Sequence, residues 1–230
     1  MKTLKEDFFD NLGIGEKSQI KDWLNKYKVK HYKINDDLTI DANVIQLINF
    51  NETELPDYIQ FNIVNVFNAR WTYLKSCKGF PKTCLTFDAS NSDIESLEGC
   101  PQEVKHSFDL EDCSKLESLK GCPKKILGDF CCKYTKIKKL KGGPNYVGGH
   151  FYLIGNGQLE SLEGGPKEVC GNFILNNNNR LKSLKGLPKK VHGILDVSIP
   201  KFHFNFENNC DLYEFLIKNC DAKDYRYNLY

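Results

Sequence analysis

Several absences narrow the class of this chain before any pattern is sought. Lys and Arg number 32 against 30 Asp and Glu, so neither sign dominates, and a formal net charge of +2 offers nucleic acid no broad electrostatic footprint. No apolar run approaches the roughly 18 residues that a membrane span requires. The start has no signal-peptide pattern, because Met1-Lys2-Thr3 leads into Leu4 to Phe9 broken by charge. These absences set the expectation of an intracellular, cytoplasmic chain with neither membrane nor nucleic acid as its partner.

Catalytic signatures are missing too. There is no P-loop, G-x-G-x-x-G, H-E-x-x-H or G-x-S-x-G, and His31, His106, His150, His192 and His203 show no ligand spacing in sequence. Ten cysteines include the adjacent Cys131-Cys132 but no C-x-x-C, which reads as reduced thiols rather than a disulfide frame or a zinc site. No enzyme activity, cofactor or metal is therefore expected. At 230 residues the chain can bury a core without staples.

What is present is a repeat. Gly-x-Pro recurs at Gly79-Pro81, Gly99-Pro101, Gly121-Pro123, Gly142-Pro144, Gly164-Pro166 and Gly186-Pro188, with successive prolines 20 to 22 positions apart. Alignment on proline brings apolar residues into columns. Three positions after it stand Cys84, Val104, Ile126, Val147, Val169 and Val191. Four before it come Cys77, Leu97, Leu119, Leu140, Leu162 and Leu184, and seven before it Leu74, Ile94, Leu116, Ile137, Leu159 and Leu181. Six or seven after it fall Phe87, Phe108, Phe130, Phe151, Phe173 and Leu195, each followed two residues on by Ala89, Leu110, Cys132, Leu153, Leu175 or Val197. That Phe-x-Leu pair is a short strand with two side chains on one face. One unit has too few apolar residues for its own core, so the units must stack, strand beside parallel strand.

The columns resemble leucine-rich repeats, whose L-x-x-L-x-L-x-x-N-x-L pattern is matched best by Phe173-x-Leu175-x-x-Asn178-x-x-Leu181 and Phe151-x-Leu153-x-x-Asn156-x-x-Leu159. Cys113, Thr135, Ser92 and Thr72 take the Asn position in other units. The stretch Leu181 to Val191 is similar to a form found in repeat proteins of large bacteriophages. The resemblance implies an α/β repeat solenoid, a leucine-rich-repeat-like array with a short parallel-strand sheet.

The expected organisation is an N-terminal helical and hairpin cap over 1–41, a solenoid over 42–200 and a C-terminal strand and helix cap over 201–230. Degenerate units, Ile45-x-Leu47 and Leu55-Pro56 with Ile59 and Phe67-x-Ala69, extend the array upstream. In the first cap Ile20, Trp23, Leu24 and Tyr27 share a helical face, Ser18 is read as its cap, and a hairpin turns at Asn35-Asp36-Asp37. In the last, Phe202, Phe204 and Phe206 alternate like a strand before a helix over 211–219.

Positions flanking the buried strand residues should line one sheet face. Asp88, Asp109, Glu111 and Asp129 form its acidic half; Tyr152, Ile154, Ile174 and Ile194 form its apolar half, with Cys131 and His150 between them. Such a contiguous patch points to protein binding, Tyr152 as anchor and the carboxylates steering a basic segment. Cys131 is the one cysteine expected on the exposed side of a strand. The phage resemblance implies a host protein as the expected partner, with a defence enzyme that the chain inhibits as the form of that expectation. Self-association in an assembly, and a nucleic-acid binder or mimic in which the acidic row imitates phosphates, stand as alternatives.

Overall fold

Glycine and proline dictate where each coil turns. The computed structural model describes residues 14–200 and 204–230, and all six Gly-x-Pro glycines have positive φ, between 79° and 99°. A Cβ on Gly121 would press on the carbonyl of Leu97 in the preceding coil, so the turns tolerate no side chain there. The following prolines are buried.

Between turns the chain makes two parallel ladders. In the first, β2 (Ile40–Gln46), β3 (Phe61–Asn68), β4 (Thr83–Asp88), β6 (Phe108–Asp109), β8 (Phe130–Cys131), β10 (Phe151–Tyr152), β12 (Phe173–Leu175) and β13 (Lys190–Ile199) lie side by side. Phe67, Phe87, Phe108, Phe130, Phe151, Phe173 and Leu195 are register partners, so the coils of about 22 residues stack as a solenoid. The second ladder joins β5 (Glu103–Val104), β7 (Lys125–Ile126), β9 (Tyr146–Val147) and β11 (Glu168–Val169). The ladders merge in β4 and β13. Cys84 pairs with Val104 but Phe87 with Phe108, so the coils from Val104–Phe108 to Val169–Phe173 each hold one more residue between their ladder positions than the coil of Cys84. That residue breaks the strand at a corner, as a bulge does.

The interior holds every aligned apolar column, including Phe87, Phe108, Phe130, Phe151 and Phe173. Their rings form a spine, with neighbouring centroids 4.6, 5.9, 4.9 and 5.1 Å apart along that series. Beside it runs a buried polar ladder. Asn156 Oδ1 accepts from Thr135 N (2.8 Å) and Thr135 Oγ1 (2.7 Å), while its Nδ2 donates to Cys132 O (2.9 Å). Asn178 repeats this one coil on, accepting from Asn156 N and donating to Leu153 O. Thr72 and Cys113 satisfy only one backbone carbonyl each, Ala69 O and Ala89 O.

The α/β expectation narrows to a parallel β-solenoid. Among the described residues helices occur only at the ends, as α1 (Ile14–Lys26) and α2 (Asn209–Asn219). The return segments, such as Leu159 to Pro166, are too short and too interrupted by Gly-x-Pro to hold helix. Ile20, Trp23 and Leu24 of α1 are buried over the first coils, Trp23 lying 6.3 Å from Phe50 and 6.1 Å from Phe61. Ser18 does not cap this helix. It lies inside it, because the helix reaches back to Ile14, where Glu16 suits the positive end of the dipole. The hairpin pairs β1 (Tyr32–Ile34) with Ile40–Ala42.

At the other end Asn208 caps α2, accepting from Cys210 N and Asp211 N, and Leu212 and Leu216 are buried. Phe204 and Phe206 form no strand, and Phe202 lies outside the described residues. Phe206 packs instead on Phe215, 5.4 Å away. The edge they would have needed is occupied by β14 (Asp221–Leu229), which runs parallel to β13 and pairs Leu195 with Tyr225 and Val197 with Tyr227. The last coil thus contains a helical crossover in place of a Gly-x-Pro turn. No helix among the described residues is long and apolar enough to cross a membrane.

Candidate protein-binding face

Strand alternation turns the neighbours of the phenylalanines outward, and register sorts them into rows. Asp88, Asp109, Cys131, Tyr152 and Ile174 are successive partners in one row. Asp129, His150 and Ile194 precede the phenylalanine column, while Glu111 and Ile154 lie two residues beyond the Asp109 row. Tyr152, Ile154, Ile174 and Ile194 consequently make a diagonal stripe across three strands. All four are half-buried rather than free in solvent.

Much of the polar part of this face is bound to its own backbone. Asp88 Oδ1 accepts from Ser90 N, and Asp109 Oδ1 from Glu111 N at 2.8 Å. Asp88 also faces Arg70 at 3.6 Å, and Glu111 faces Lys133 at 3.3 Å. Burial, with help from Asp88 and Glu111, raises the Asp109 carboxyl above the ordinary carboxylate range.

Asp129 and His150 belong to a relay that sequence reading missed. His150 N donates to Asp129 Oδ1 (2.7 Å), Asn172 N to His150 Nδ1 (2.9 Å), and Ile194 N to Asn172 Oδ1 (2.9 Å). Each side chain satisfies the N–H of the next coil at the corner, where the regular ladder is interrupted. The preceding residue leaves room for it: a Cβ on Gly171 would meet His150 Nδ1 at 2.7 Å.

Cys131 departs from its expected exposure. It is only 8% exposed, with Glu111 Oε2 3.8 Å from its sulfur and Tyr152 beside it in the row. Lys133 spans from Glu111 to the face of the Tyr152 ring, 5.1 Å from its centroid. Burial and then Asp109 push the thiol up, the reverse of what a nucleophile needs. Burial likewise pushes Cys84, Cys100 and Cys132 up to about 12 and Cys113 and Cys220 to about 11. With a thiol reagent at pH 8 and no denaturant, Cys210 and then Cys170 are expected to react. The buried eight should wait for unfolding, which mass spectrometry of the labelled chain checks.

The strongest exposure lies elsewhere on the same side. Trp71 is 72% exposed, Ile48 67% and Tyr73 57%, and together with Arg70 and Asn68 they line one shallow depression. Trp71 has φ +57°, at a position where other coils place Asn49, Asn91, Asp112, Gly155 and Asn177, all with φ between +56° and +70°. Tyr134 occupies that position in its own coil and rests against Gly155. Alignment on phenylalanine could have exposed this: a bulky aromatic stands in a column of residues suited to left-handed turns.

On the turn side, opposite charges of neighbouring coils pair: Lys75 with Glu95, Glu117 with Lys138, and Glu160 with Lys182. Glu163 meets Lys139 rather than Lys141 or Lys185, and that lysine lowers its carboxyl pKa. Such exposed pairs contribute at most about 1 kcal/mol each.

Fold and face together define a β-solenoid repeat protein with a rigid, partly apolar strand surface. Comparisons with protein-family models, curated proteins and solved structures return no match.

Proposed function

We propose that the chain is a non-catalytic protein-binding module that engages its partner across the strand face and the adjoining edge. The observation that carries this reading is Trp71. A bulky side chain in left-handed backbone costs roughly 1 to 2 kcal/mol, and this one buries little of its own surface in return. Strain of that kind persists where binding uses it. Arg70, Trp71 and Tyr73 are also the residue types that concentrate binding energy in interfaces. The stripe of Tyr152, Ile154, Ile174 and Ile194 adds a second apolar area on the same side, separated from Trp71 by the coils that carry Asp88, Asp109 and Cys131. A solenoid presents such a surface already formed, so little ordering entropy is lost on binding.

The resemblance to phage repeat proteins supports a host protein as the partner, and a defence enzyme blocked by this surface is the form of inhibition it suggests.

The decisive variant is Trp71→Asn, which installs the residue that sibling coils use at this φ. It should fold at least as stably as the parent by thermal melting, yet lose capture of a partner from host extract. Titration with that purified partner should show about tenfold or greater weakening, more than 1.4 kcal/mol. Tyr152→Ala with Ile174→Asp should reduce the same affinity with little change in melting. A partner that binds both variants as tightly as the parent would overturn the reading.

A further inference from the structure

The second ladder brings together side chains that are far apart in sequence. Glu168 and Cys170 flank the inward Val169, and His192 stands in the next coil beside Val191, the register partner of Val169. The donor atoms of Glu168, Cys170 and His192 all lie within 4.8 Å of one another. One contact already joins two of them, His192 Nε2 lying 2.7 Å from Glu168 Oε1, while Tyr146 Oη lies 3.1 Å from Cys170 Sγ. Tyr146 is the register partner of Glu168 in the preceding coil, so three successive coils contribute.

We propose that Glu168, Cys170 and His192 form a zinc-binding site on the outer side of the second ladder. The donor set is the argument. One thiolate, one imidazole and one carboxylate suit Zn²⁺, whereas Mg²⁺ and Ca²⁺ select oxygen. Tetrahedral zinc at bond lengths of about 2.0 to 2.3 Å separates its ligands by roughly 3.3 to 3.8 Å. Small rotations of these half-exposed side chains reach that from the present arrangement. Binding releases the Cys170 thiol proton to solvent, moves the His192 proton from Nε2 to Nδ1 so that Nε2 can ligate, and replaces the His192–Glu168 contact with a shared metal. Three protein ligands leave a fourth position for water or for a donor from a bound molecule, with Tyr146 beside it.

The other cluster of this kind, Asp109, Glu111 and Cys131, already holds a cation, since the Lys133 ammonium lies 3.3 Å from Glu111. Its thiol is also buried. Among the described residues no corresponding lysine contact closes the Glu168 cluster: Lys125 rests over the Tyr146 ring, 5.3 Å from its centroid.

Titration of the reduced full chain with Co²⁺ tests the site. One equivalent should produce a thiolate-to-cobalt charge-transfer band with the visible absorption of a tetrahedral centre, and Zn²⁺ should abolish both by displacement. Cys170→Ser should remove the charge-transfer band, and His192→Ala and Glu168→Gln should each weaken binding on the order of tenfold. Circular dichroism should show all three variants folded. Absence of the band in the parent chain would overturn the proposal. So would a band that survives Cys170→Ser, which would place the metal on Cys210, the exposed thiol.

Discussion

Phe130→Ala is expected to lower stability by about 3 to 5 kcal/mol, the range for emptying a fully buried aromatic site. Phe130 sits midway along the array, its ring 5.9 Å from Phe108 and 4.9 Å from Phe151. Each coil touches only its neighbours, so a cavity there weakens both interfaces of one coil and uncouples the two halves. Denaturant unfolding should therefore lose its single sharp transition as well as shift to lower concentration. Phe204→Ala, at a half-buried position near the end, should cost much less and leave the transition single. A shift below about 1 kcal/mol for Phe130→Ala would show that the rings share no interior.

Asn156→Leu is the second large effect. The side chain has suitable bulk for an apolar neighbourhood, so packing alone would make the exchange mild. It removes, however, the partners of Thr135 N, Thr135 Oγ1 and Cys132 O, all in the buried ladder. A buried polar group left without a partner costs about 1 to 3 kcal/mol, and here Thr135 N and Cys132 O are stranded together while Thr135 Oγ1 keeps only the Cys132 sulfur, 3.7 Å away. A loss of roughly 3 kcal/mol or more, measured by the same denaturation, is expected. Exposed Asn177 lies outside this network and its replacement by Gly, which suits its positive φ, should change little.

The columns of phenylalanine, leucine and valine were legible because burial acts on residue type at fixed spacing, and each repeat restates the same requirement. Turn glycines were legible for a related reason: a positive φ against a neighbouring backbone admits nothing else. The closing strand was not. Tyr225, Tyr227 and Leu229 alternate as a strand should, but Asp224, Arg226 and Asn228 between them resemble a solvated tail, and no Gly-x-Pro announces a coil. Trp71 lies outside the strand positions, and its peculiarity is conformational, appearing only when the turn column is compared across coils. Asp129 and His150 were legible as outward-facing but not as relay members. Which polar side chain serves a neighbouring backbone and which awaits a partner depends on the bulge geometry, and the extra residue between Val169 and Phe173 marks where that bulge falls without showing what it leaves unpaired.

Coils that meet in strict register are interchangeable modules. Phe130, Phe151 and Phe173 occupy equivalent points, so a chain from which residues 151–172 were excised would rejoin Phe130 to Phe173 in the same geometry. Gain or loss of one whole coil would leave the remaining contacts of the same kind, while removal of half a coil would misalign everything downstream. The length of this molecule can therefore change only in steps, and its terminal coils, closed by a hairpin at one end and a helical crossover at the other, are the parts that such editing must spare.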